Sequence, residues 1–406
     1  MREKICTIVL LVLVGLCFGA VWNQQRMRPR STGSTYAMFL RSYGYIDSQG
    51  KTVILPQFNT GDNFSDGLAA VRVPKSSTDR RYEPNAYVDI VGHIVNARNV
   101  HRGANPEARL FKIRIGNKFG YQERDGSLVI PAVWDYAEDF VDNVALVGNY
   151  HAQPFFQENM LINRHGDIIF KFKDLHFLGS FHEGLLEGSV HNYSGYVDTK
   201  GKFVIQPQFK LAGPFSEGRA SVCPLNCKKS GVIDTSGNFV TQPKYDWIGH
   251  FSEGLAAYRI GSEKGYIDRA GNVVFTLPPD ASYLGEFHEG LSEVFIGGSS
   301  TKFDDDWQAR ADAKGGFIDK TGKFVIKPQF SAAGLLVCQN GFHEGLAAVG
   351  IGYGEEERFG YIDHSGKYVI QPKYLAAMQF SEGLACVCFD HKIDRRDIKA
   401  CQPQRE

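Results

Sequence analysis

The sequence predicts an all-β tandem repeat array, and three recurring signals predict it. The segment GYIDHSGKYVIQPKY, Gly360 to Tyr374, has close copies at Gly44, Gly195, Gly231, Gly265 and Gly316 and weaker ones at Ala86, Gly120 and Met160. Each copy places an acid or Asn three residues before a Gly. Each then carries a stretch of the form F-S-E-G-L-A. The intervals between starts run from 34 to 51 residues, within the roughly 20–50 residue periods of solenoids and propellers.

The first signal, D-x-x-G, predicts a tight turn. Gly recurs at Gly50, Gly92, Gly126, Gly166, Gly201, Gly237, Gly271, Gly322 and Gly366. The lead Asp can accept hydrogen bonds from the turn's own amides, and Gly takes φ > 0 without a Cβ clash. Its flanks are β-branched and aromatic, as in Tyr361-Ile362 and Tyr368-Val369-Ile370, so the turn closes a β-hairpin. Tyr361 and Val369 are expected to feed a core. The second signal is Pro followed by an aromatic, as in Pro56-Gln57-Phe58 and Pro372-Lys373-Tyr374. Proline has no N–H for a ladder, so it is expected to end the strand or mark a sheet edge.

The third signal carries an acid in all nine copies: Asp66, Glu107, Asp142, Glu183, Glu217, Glu253, Glu289, Glu344 and Glu382. Phe stands two residues earlier in eight. Gly follows in seven, and Asn143 takes its place in the third, which points to a left-handed backbone there. A further strand should follow, such as Leu255 to Arg259 or Leu384 to Phe389. The unit is therefore three antiparallel strands, and it needs its neighbours to bury its aromatic face. An open, solenoid-like stack of about nine units is the expected arrangement, because unequal intervals fit closure less easily. A closed β-propeller is the alternative.

Other segments lie outside the array, which spans residues 44–392. Arg2 and Lys4 precede the apolar run Ile5 to Trp22, so residues 1–23 are expected to be a signal peptide or a signal anchor. Residues 24–43, with Arg26, Arg28 and Arg30, form a polar tether, and 393–406 a polar tail. Of eight cysteines, Cys223 and Cys227 are placed to pair locally across a turn. Cys386 and Cys388 share one face of a strand, which disfavours a mutual bridge. Cys338 and Cys401 complete the set outside the signal.

Composition excludes some functions. Lys+Arg and Asp+Glu both total 45, so nothing in the charge balance suggests a nucleic-acid partner. No metalloprotease, serine-hydrolase, phosphate-loop or dinucleotide motif is present, and no cofactor is implied. The nine acids could form a cation ladder or a glycosidase pair. Equivalent sites do not separate two pKa values, so the preferred reading is that each carboxylate caps amides at its own turn. His182, His288 and His343 precede such acids and are expected to sit apart at the surface, with no metal bound. The most divergent stretches are Asn96 to Arg109, with His101 and Arg102, and Gly297 to Ala313. The latter holds Gly297-Gly298-Ser299-Ser300, Asp304, Asp305, Asp306 and Trp307. Inserted loops of repeat proteins often carry binding.

The pattern GYID..GK.VI.P.Y followed by F.EGLA.V resembles the WG-repeat (KWG-repeat) family over nearly the whole chain after the signal. Trp is absent from the position before the repeat Gly, where Tyr43, Phe119, Ser194, Ser230, Lys264, Gly315 and Phe359 stand. The resemblance implies a β-repeat architecture, often in exported bacterial proteins, and no defined activity. Function is then expected to be an exported or membrane-anchored, non-enzymatic scaffold for a protein or glycan partner. The alternatives are a cell-envelope carbohydrate hydrolase using repeat carboxylates, and a purely structural tether.

Overall fold

The structure is a computed structural model that describes residues 42–73, 86–95, 109–151, 156–172, 176–177, 180–226, 228–298, 313–331 and 341–390. The signal segment, nearly all of the tether and the C-terminal tail lie outside them, as do Cys227, Cys338 and Cys401. Every described ladder is antiparallel, and the only described helix is the single 3-10 turn Gly354–Glu356.

The strands arise where the sequence alternates. In Tyr368–Tyr374, Ile370 and Tyr374 are buried while Gln371, Lys373 and Val369 face out. Val369 is 42% exposed, so Ile370 takes the core role expected of Val369. Pro372 lies inside this strand rather than ending it. It is tolerated there because the strand is the outer edge of its sheet and pairs irregularly with Arg358–Ile362. That irregularity also explains the repeat Gly. A Cβ on Gly44, Gly120 or Gly195 would lie 2.5 Å from the carbonyl oxygen of Ile54, Ile130 or Ile205 on the facing strand.

The unit of structure is offset from the unit of sequence. The strand that ends one copy pairs with the strand that opens the next: Leu68–Arg72 with Ala86–Asp89, and Leu255–Ile260 with Glu263–Asp268. The result is a four-stranded blade rather than the three-stranded unit expected. Trp247–Ile248, Leu255–Ile260, Glu263–Asp268 and Val273–Thr276 form one such blade, in that order. Nine blades can be traced among the described residues. Two pairs of them merge into longer sheets; Phe203–Ala212, for example, ends one blade and begins the next.

The ends of the array meet. Ser42–Asp47 pairs along its full length with Leu384–Phe389, from Ser42 opposite Phe389 to Asp47 opposite Leu384. One blade is therefore built from both ends of the chain: Ala376–Ser381, Leu384–Phe389, Ser42–Asp47 and Thr52–Phe58. The open stack is thus replaced by the closed alternative, a propeller-like ring. Two exposed strand edges disappear in the process. Unequal intervals are no obstacle, because much of the excess length falls at 74–85 and 299–312. Both segments join the second and third strands of a blade and leave the blade itself unchanged.

The described first strands face the axis. Burial pushes up the carboxyl of Asp62, and after burial the charge of Asp139, two blades away, does the same. Burial, and then the charge of His250 two blades on, likewise push the His182 imidazole down. Outer edges of alternate blades would be far too distant for this.

Blades pack through a repeated aromatic pair. Tyr45 meets Phe64 at 4.9 Å between ring centroids, Tyr121 meets Phe140 at 4.7 Å, Tyr196 meets Phe215 at 4.7 Å and Tyr361 meets Phe380 at 4.8 Å, all edge to face. The Tyr hydroxyl then donates to a carbonyl of the next blade's inner strand: Tyr45 to Asp62, Tyr196 to Gly213 and Tyr361 to Met378. Each buried ring therefore contributes apolar area and still satisfies its polar end.

Candidate functional site

Two kinds of turn lie on one face of the ring. The D-x-x-G turns behave as their residues dictate. Asp47 Oδ1 accepts from the amides of Gln49 and Lys51, and Asp363 Oδ1 from those of Ser365 and Lys367. Gly50 and Gly366 have φ of 77° and 82°. Where Glu123 replaces the Asp, Asp125 accepts from Ser127 instead.

The described F-S-E-G turns join the first and second strands of their blades in two residues. Both residues are left-handed: Glu253 has φ 51° and Gly254 φ 89°, and Asp142 and Asn143 have φ 49° and 68°. This is the type I′ geometry that matches strand twist. The positive φ of Asn143 follows from its sequence. The positive φ of the acid does not, since a Cβ there costs about 1–2 kcal/mol.

What the acid gains is a bond to the next blade. The amide of Gly218 donates to Glu183 at 2.9 Å, Gly254 to Glu217 at 2.8 Å, Gly290 to Glu253 at 3.0 Å and Gly345 to Glu289 at 3.0 Å. Gly383 donates to Glu344 at 2.9 Å, and Gly67 to Glu382 at 2.7 Å, across the junction of the chain ends. The carboxylates do cap amides, but those of the neighbouring turn rather than their own. The preceding serines run the same way: Ser216 donates to the carbonyl of Phe251, Ser252 to Phe287 and Ser381 to Phe64. Asp66 is engaged by Arg109, the one described residue of the divergent stretch Asn96 to Arg109.

A second layer of charge was not legible beforehand. Lys320, just after the Asp of its turn, pairs with Glu253 at 3.1 Å, and His364 at the equivalent position pairs with Glu289 at 3.1 Å. Against the cost of burial, Lys320 and the Gly290 amide hold the carboxyl of Glu253 below its usual range.

The histidines do not all sit apart. His288 and His343 occupy the serine position of consecutive copies, and their rings lie 4.7 Å apart. Glu286 reaches His250 at 3.1 Å and His288 at 4.0 Å. Burial first, and then His343, push the His288 imidazole below its usual pKa. No group of three or more His, Cys, Asp or Glu among the described residues is arranged to hold a metal ion. Asp304, Asp305, Asp306 and Trp307 lie outside the described residues. Cys386 and Cys388 are both buried, and burial pushes the Cys386 thiol far up. Cys223 is buried as well.

The repeat described by its strands and turns matches a known family. The WG containing repeat is found at residues 43–73, 119–149, 195–223, 231–263, 316–353 and 359–392. The chain is a WG-repeat protein. No curated protein matches this WG-repeat chain. Among solved structures it is similar to a eukaryotic initiation factor, at 12% identity and TM-score 0.47 over 70% of this chain and 81% of that one. It is also similar to virginiamycin B lyase from Staphylococcus aureus, at 10% identity and TM-score 0.34 over 86% and 99%. The WD40 domain of Neurospora crassa Pan2 matches at 14% identity and TM-score 0.32 over 62% and 86%. The closed ring of the WG-repeat protein is read from its own strand pairing.

Proposed function

We propose that this WG-repeat ring is a non-enzymatic scaffold that binds a protein or glycan partner, exported or held at a membrane through residues 5–22. The observation that carries this reading is the ring of carboxylate–amide bonds. Six of the nine recurrent F-S-E-G acids, Glu183, Glu217, Glu253, Glu289, Glu344 and Glu382, are engaged in joining blades, and a hydrolase would need two such carboxylates free and in unlike surroundings. The residues left to recognise a partner are those that differ between copies. Cross-linking of the protein in its native envelope, with identification of what it captures, tests the scaffold. Glu253→Gln together with Glu289→Gln tests the enzyme alternative. Loss of a carbohydrate-hydrolysing activity with an intact fold would overturn the scaffold reading, and a loss of stability with no turnover to lose supports it.

A further inference from the structure

The two faces of the ring differ in what they expose. One carries the carboxylate–amide ring. The other is formed by the turns between second and third strands and by the links from each fourth strand to the next first strand. Five aromatic rings are well exposed among the described residues, and four are on this second face: Tyr150, Tyr193, Trp247 and Tyr353. Tyr150 is 59% and Trp247 45% exposed, and Ile115 and Leu225 are exposed on the same face. The fifth, Phe170, lies on an outer strand.

Both ends of the array open on that face. Ser42 begins a third strand and Phe389 ends a second strand, and the two are paired there. The chain before Ser42 therefore leaves from the aromatic face. It comprises residues 23–41, with Arg26, Arg28 and Arg30, and before them the apolar run Ile5 to Trp22. A random coil of nineteen residues spans about 24 Å at roughly 5–6 Å × √n. An anchored chain would hold this face within a few nanometres of the bilayer. Tyr and Trp are the side chains enriched where membrane meets water, and arginines beside a span are drawn to anionic headgroups.

We propose that the aromatic face, around Tyr150, Tyr193 and Trp247, rests on the anionic lipid surface in which the N-terminal segment is held. The carboxylate ring then points away from the bilayer. This rests on the anchored form of the function proposed above.

The test uses the full chain reconstituted in vesicles of phosphatidylcholine and phosphatidylglycerol that contain brominated lipid. Trp22→Phe and Trp307→Phe leave Trp247 as the reporter, over a constant background from Trp134. The control adds Trp247→Phe and Val91→Trp, which moves the reporter to an exposed turn on the opposite face. The expected result is flotation of both proteins with the vesicles, with the Trp247 reporter quenched at least about twofold more than the reporter of the control protein. Flotation with equal quenching, or with none in either protein, overturns the docked face and leaves the anchor standing. Failure to float removes the anchor and the docked face together.

Discussion

Glu217 isolates the blade-to-blade bond, because its carboxylate accepts the Gly254 amide at 2.8 Å with no second partner among the described residues. Its backbone sits at φ 52°. Glu217→Ala keeps the backbone strain and removes the bond. A hydrogen bond to a charged group contributes about 1.5–3 kcal/mol, and this half-exposed one belongs near the lower end, about 2 kcal/mol. Glu217→Gly removes the bond but also relieves about 1 kcal/mol of left-handed strain, so it should be the milder change. Glu217→Gln keeps an acceptor without the charge and should cost about half as much as Ala. Urea denaturation followed by near-UV circular dichroism gives the ordering. At about 2.1 cal/mol/K of unfolding entropy per residue, 2 kcal/mol corresponds to a melting shift of roughly 3 °C for a ring of this size. Alanine and wild type of equal stability, or a glycine variant more stable than wild type, would refute the claim that the acid joins blades.

Three further outcomes follow from buried groups and close approaches. Glu187 is 8% exposed and accepts from Ser194 at 2.7 Å; burial raises its pKa to about 7, against the opposing effect of that bond. The folded state then holds a proton that the unfolded state has lost, so stability falls as pH rises from about 4.5 to 7, by up to roughly 3 kcal/mol, and Glu187→Gln should flatten that slope in urea titrations at several pH values. Gly195→Ala would drive a Cβ to within 2.5 Å of the Ile205 carbonyl oxygen and should cost more than about 2 kcal/mol, read as a lowered urea midpoint. Tyr361→Phe leaves the Met378 carbonyl without the 2.7 Å bond from the buried ring and should cost about 1–3 kcal/mol, whereas an unchanged midpoint would mean that the hydroxyl is not used.

Local features were legible in the sequence because their causes are local. The D-x-x-G turns, the left-handed Asn143 and the strands after each F-S-E-G all follow from single residues and their immediate neighbours. The parity of the outer strand was also present in the sequence: Val369 shares its face with Gln371 and Lys373, while Ile370 alternates in step with Tyr374. The meeting of His288 and His343 had a signal too, since they stand in consecutive copies. The destination of the acids had none. Whether Glu217 caps its own turn or the next depends on how far apart two blades sit, and no periodicity encodes that distance. Closure was hidden by the offset between copy and blade. A sequence copy begins on a third strand and ends on a second, so a chain of whole copies leaves one half-blade at each end. The two halves complete one another only because the excess residues of the long copies lie between strands.

The chain ends are joined in one blade, and a single bridge measures that junction directly. Tyr43 and Cys388 are opposed residues of Ser42–Asp47 and Leu384–Phe389. Directly opposed antiparallel residues are about 4.5–5.5 Å apart, within disulfide reach. In the Tyr43→Cys variant under mild oxidation, peptide mapping of the monomer should show residues 43 and 388 joined within one chain. A monomer in which both thiols stay open to alkylation, with any bridge between them formed only between chains, would contradict the closed ring.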